Sequence, residues 1–194
     1  MLSLFFFSDC RPGAAGCELR PVILERRKTK ELSRLALARF ANKAQRATGL
    51  GGEVNILLTG DAEMQRLNRQ FRRKDKPTDV LSFPHAPAAG SAALPGSAGG
   101  GDIAISLATA RVQAAALGHT LLTEVKVLIL HGMLHLAGHD HERDHGEMLR
   151  LEQKLRDELG LSAGLIERTL EARGATGKTI RKPGGSRSAR GRRP

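Results

Sequence analysis

Residues 121–141 read LLTEVKVLILHGMLHLAGHDH, and the rest of the chain is organised around them. From Leu121 to Leu136 the run is apolar almost all round, the mark of a helix buried in a core rather than laid on a surface. His131 and His135 stand one turn apart on a single face of that helix, roughly 6 Å along its axis. Gly138 can take the left-handed conformation that ends a helix, which lets the chain double back and carry His141 toward the other two. Three imidazole donors leave a fourth tetrahedral position open, as in a catalytic zinc site, although nickel or copper also suit such donors. Five of the chain's seven histidines fall between positions 131 and 145. His131, His135 and His141 are therefore read as the metal ligands, and His139 and His145 as surface or supporting residues.

The same histidine spacing occurs in metzincin peptidases, except that the residue after their first histidine is a glutamate that accepts a proton from the attacking water. Here that residue is Gly132. Peptide hydrolysis thus lacks its base at the expected place.

A second motif lies upstream, RRKDKPTDVLSFP from Arg72 to Pro84. Together with the His-Gly-x-Leu-His-Leu-x-Gly-His-Asp-His string at 131–141 it resembles the bacterial YbeY family of endoribonucleases and rRNA maturation factors, over positions 50 to 160 or so. The resemblance implies metal-dependent cutting of single-stranded RNA, and the imidazole donor set points to one Zn2+ per chain. It also implies a place in ribosomal RNA maturation, including processing of the 16S rRNA 3′ end, and in ribosome quality control. The implied partners are ribosomal RNA and the small ribosomal subunit, with ribosomal proteins or a ribosome-associated GTPase as further candidates.

Attack on a phosphodiester builds negative charge on the phosphorus oxygens, and a guanidinium can bind two of them at once. Arg72 is the catalytic candidate, since it matches the arginine that precedes Lys-Asp-Lys-Pro-Thr in the family motif. Arg73 stands where a small residue is expected, so the choice between the two arginines stays open. Lys76 and Thr78 are candidate substrate contacts on a loop held by the strand that follows. Asp75, Asp79 and Asp102 are read as caps, turn residues or structural partners, Asp140 as a candidate for orienting a histidine, and no general base is assigned. Two other classes compete with the nuclease: a zinc hydrolase such as a peptidase, in which Glu147 or Glu152 replaces the missing base, and a non-catalytic rRNA-binding assembly factor in which the metal only fastens the turn.

The chain of 194 residues carries a net charge of +11, has no tryptophan or tyrosine and only six phenylalanines. Its core is therefore aliphatic, and a basic surface favours a polyanion such as RNA over stacking on aromatics; DNA is not an expected partner. The segment Lys178 to Pro194 holds seven Lys or Arg and no acid. Cys10 and Cys17, the only cysteines, make neither a disulfide framework nor a metal knuckle, and Leu2–Phe7 is too short and lacks a basic flank for a signal sequence. A cytoplasmic, reduced protein without membrane attachment is expected.

Periodicity and breakers predict strands at 22–24, 54–58, 80–83 and 102–106, and helices at 30–47 (Leu32, Leu35, Leu37 and Phe40 on its apolar face), 62–71 with Asp61 as N-cap, 107–117 capped by Ser106, 121–136, and from Glu147 onward. The expected fold is a single α/β domain, residues 21–173, with a small mixed sheet and about five helices. The resemblance suggests four strands. Residues 1–20 are read as an irregular leader, 86–101 as a flexible loop, and 174–194 as a disordered basic tail.

Overall fold

The structure, a computed structural model, describes residues 21–25, 31–85, 99–141 and 144–161. The expectations for the leader, the basic tail and most of the loop after Pro84 lie outside these residues. Within them the order is β1 (Val22–Glu25), α1 (Arg34–Ala47), β2 (Val54–Thr59), α2 (Asp61–Arg72), β3 (Val80–Pro84), β4 (Gly101–Ser106), α3 (Leu107–Ala116), α4 (Leu121–Leu136) and α5 (Glu147–Leu159).

The four strands form one mixed sheet in the order β1-β2-β4-β3. β1, β2 and β4 run parallel, and β3 closes one edge antiparallel to β4, with Val80 opposite Ile105 and Pro84 opposite Gly101. Because alternate strand residues point to opposite faces, Ile56, Leu58, Ile103 and Ile105 enter a large core shared with α1, α3, α4 and α5. Ala104 and Leu81 point the other way, into a smaller cluster completed by Met64 and Leu67 of α2 and flanked by Leu57 and Phe83. The sheet is thus covered on one face by four helices and on the other by α2.

α4 is the centre of the large core. Val125, Val127, Leu128, Ile129, Leu130, Met133 and Leu134 are fully buried, as its all-round apolar sequence requires. Where it crosses the sheet it carries Gly132. A Cβ there would stand 2.9 Å from Ile103 Cγ2 and 3.1 Å from Ser82 Oγ, and Ser82 Oγ already donates to the Gly132 carbonyl at 3.2 Å. The position that a metzincin fills with glutamate is pressed against the sheet.

Three local expectations are corrected. α1 begins at Arg34 because Ser33, extended at φ −82° and ψ 108°, caps it by accepting from the Ala36 N–H. Leu35, assigned to its apolar face, is exposed, whereas Leu32, Leu37 and Phe40 are buried. Asp61 is the first residue of α2 and Gly60 takes the cap position, since the Asp61 carboxylate is occupied by the hydroxyls of Ser106 and Thr109. Ser106 does cap α3, accepting from the Thr109 N–H at 3.2 Å.

Candidate metal centre

The last turn of α4 ends in a Schellman arrangement: the His139 N–H donates to the Leu134 carbonyl at 3.0 Å and the Gly138 N–H to that of His135 at 3.1 Å, with Gly138 at φ 92°. This reversal brings His141 back over the helix. Its ring centroid lies 5.4 Å from that of His131 and 5.3 Å from that of His135.

The donor atoms of His131, His135 and His141 all lie within 4.8 Å of one another. The Nε2 atoms of His131 and His135 stand 3.1 Å apart. Two nitrogens bound tetrahedrally to one zinc at about 2.0 Å would be separated by roughly 3.3 Å, so the spacing fits a shared ion. Three imidazole nitrogens of borderline softness suit a transition ion such as zinc, nickel or copper. His131 is buried, and the other two are half-buried.

Burial, followed by the neighbouring His131 and His141, pushes the His135 imidazole down to about 4, with Asp140 and the His139 backbone pulling in the other direction. His135 is therefore neutral near pH 7 and keeps a lone pair for a metal. Behind His131, its Nδ1 meets the Glu152 carboxylate at 3.0 Å. Glu152, on α5, is buried. A carboxylate there favours the tautomer that leaves the Nε2 lone pair facing His135 and His141 and would strengthen it as a donor to a metal. Sequence reasoning considered Glu152 only as a substitute base; its position a helix away made the bond to His131 invisible, although its spacing from Met148 and Leu155 on the inner face of α5 was a usable sign.

The three histidines lie in the wall of a cavity of about 1160 Å³ whose other side is built by the end of α2, the loop after it and edge strand β3. Arg72, Thr78, Asp140 and Asp144 line it, as does His139, whereas Arg73, Lys76 and Glu147 are not among its lining residues. Arg73 ends α2 in the left-handed region at φ 57°, a conformation that favours glycine, which is the reason a small residue suits this position. Lys76 is exposed, and its carbonyl accepts from Asn68 Nδ2 at 2.7 Å. The Thr78 hydroxyl donates to Asp79 Oδ1 at 3.0 Å.

The acids near the site are each held in hydrogen bonds, although Asp79 also lines the cavity. Asp79 also accepts from the Val80 N–H and from Gln113 Nε2, Asp75 from Gln65 Nε2, and Asp102 faces Asn55 and His85. Asp144 holds the start of α5 through the N–H groups of Met148 and Gly146; the Met148 bond, ahead of the other causes, keeps its carboxyl below the usual range. His145 is exposed and stands outside the three-histidine group, as does His139.

Residues 19–160 match the family described as Endoribonuclease YbeY. Curated proteins of that description from Solibacter usitatus and Koribacter versatilis are each 51% identical to this chain. The first aligns over 143 residues, 74% of this chain and 90% of that protein, and the second over 148 residues, 76% and 91%. The Aquifex aeolicus protein of the same description is 40% identical over 136 residues, 70% of this chain and 85% of that one.

Proposed function

The chain belongs to the YbeY endoribonuclease family, and from that premise we propose that it is a zinc-dependent endoribonuclease that cuts single-stranded RNA in the cytoplasm during ribosomal RNA maturation. The observation that carries the reading is the convergence of His131, His135 and His141 in the wall of a cavity that Arg72 shares. These three residues would hold the ion, and when bound it supplies a Lewis acid and a water acidified to a pKa near 7.

The protein's own part is electrostatic and positional. As water attacks the phosphodiester and the P–O bond to the leaving oxygen breaks, the non-bridging oxygens gain charge. Arg72 offers two parallel N–H donors to them. Glu152 holds His131 in the productive tautomer, and the neutral His135 leaves its nitrogen free of a competing proton. Thr78 meets the substrate backbone through its hydroxyl oxygen side by side with Asp79, and Lys76 meets the strand where it leaves the cavity. The 16S rRNA 3′ end is the proposed target, with the small ribosomal subunit, its proteins or an associated GTPase as partners.

Two observations weigh against peptide hydrolysis. Gly132 has no room for a glutamate, and Glu152 is committed to the far nitrogen of His131. The test is metal analysis of the purified protein beside cleavage of a single-stranded rRNA 3′ fragment, the same fragment as a duplex, and an unfolded protein, each with and without chelator. We expect zinc, chelator-sensitive cleavage of the single strand and an intact protein substrate. Metal-bound protein that leaves all RNA uncut would overturn the nuclease reading in favour of a binding factor.

A further inference from the structure

Two of the chain's six phenylalanines meet in the wall of the cavity. Phe71, in the last turn of α2, and Phe83, on β3, have ring centroids 4.9 Å apart at an interplanar angle of 61°. Phe83 is packed partly against the small cluster of Met64, Leu67, Leu81 and Ala104. Phe71 is 53% exposed, an arrangement that gives up apolar burial a folded chain would otherwise gain. Both rings line the same cavity as Arg72, His131 and His135.

The composition alone argued against aromatic recognition of RNA; the fold gathers two of the few rings where they matter. Phe71 and Arg72 are adjacent, so a ring and a guanidinium face one cavity from neighbouring positions. A nucleotide has the matching halves, a flat base and an anionic phosphate, and base-on-aromatic stacking is indifferent to sequence because every base has a π-face. We propose that the Phe71–Phe83 pair is a seat for an unpaired base of the strand being cut, with Phe71 as the stacking surface and Phe83 as its brace. The proposal rests on the RNA reading given above. It supplies a cause for single-strand preference: a base in a duplex is already stacked and paired and must be extruded before it can take this seat.

The test uses the metal-loaded full chain and a single-stranded oligoribonucleotide of known cleavage position, together with versions in which one nucleotide at a time near the cut is abasic. For the intact strand, Phe71→Ala is expected to lower kcat/KM by roughly 5- to 100-fold, the fold-change that corresponds to loss of one stacked base, with metal content unchanged. Phe71→Trp is expected to restore it. In the wild type one abasic position should cost a similar factor, and in Phe71→Ala that same position should cost nothing further, whereas a merely structural role would lower intact and abasic strands alike. Wild-type cleavage by Phe71→Ala, or an abasic penalty equal in both proteins, overturns the base seat while leaving the nuclease reading intact. A wild-type enzyme that cuts no RNA removes both.

Discussion

On one side of the cavity His131 is buried on α4, tied through Nδ1 to a buried glutamate; on the other, Arg72 and Phe71 are exposed at the end of α2. The first wall is fixed by packing. Its helix is apolar all round, the turn at Gly138 closes it, and α5 brings Glu152 up behind the ligand. The second wall is tied at its root by Asn68 reaching Lys76 and by Asp79 bridging to α3, while Phe71 and Arg72 at its rim stay exposed. The difference is physical: a buried polar group is tolerated only when its partner is present, as Glu152 is for His131, whereas exposed side chains such as Arg72 and Phe71 carry no such requirement and stay accessible.

The largest effects are expected on the buried side. His131→Ala, His135→Ala and His141→Ala should each reduce bound metal from about one ion per chain to none, with cleavage lost; full metal content in any of the three removes that residue from the ligand set. On the exposed side, Arg72→Ala should keep fold and metal yet slow RNA cleavage by roughly 100-fold or more, and Arg72→Lys should recover only part, since an ammonium lacks the bidentate fork. Wild-type rates in Arg72→Ala with metal in place would shift the role to Arg73.

Glu152→Gln tests the carboxylate behind His131. It should weaken metal affinity by about 10- to 100-fold without altering the ligand set, as measured by competition with a chelator of known affinity; unchanged affinity would mean that the carboxylate does not tune His131. A smaller effect concerns the metal-free protein. His135 titrates at about 4 when folded, below its ordinary 6.5, so the unfolded chain binds more protons between those values. The His135 contribution should therefore be intact above pH 6.5 and be lost progressively as pH falls to 4. Denaturant unfolding of wild type and His135→Gln should diverge in that window, and parallel curves across it would contradict the assignment.

The smallest effect belongs to Arg73, whose left-handed backbone costs about 1 kcal/mol for a residue with a Cβ. Arg73→Gly should raise stability by up to about that amount, less the entropy glycine costs, and leave cleavage unchanged. Lost cleavage in this variant would give Arg73 a share in the site.

α4, its two same-face histidines, the reversal at Gly138 that returns His141, and the strand–helix order of the sheet were legible in the amino-acid order alone. Each depends on residues within a turn or two of one another: apolar periodicity, cap chemistry and left-handed glycine are local physics. The family motif also marked Arg72. The folded arrangement alone shows that Glu152 stands behind His131, 21 residues away, that Asp61 is taken by Ser106 and Thr109 rather than spent on its own helix, and that Gly132 is pressed on Ile103. It also brings Phe71 against Phe83 in the cavity wall, in a chain whose composition promised no aromatic surface. Such pairings follow from how packed layers bring distant segments together, and a one-dimensional spacing rule carries no record of which partner a side chain meets across a core.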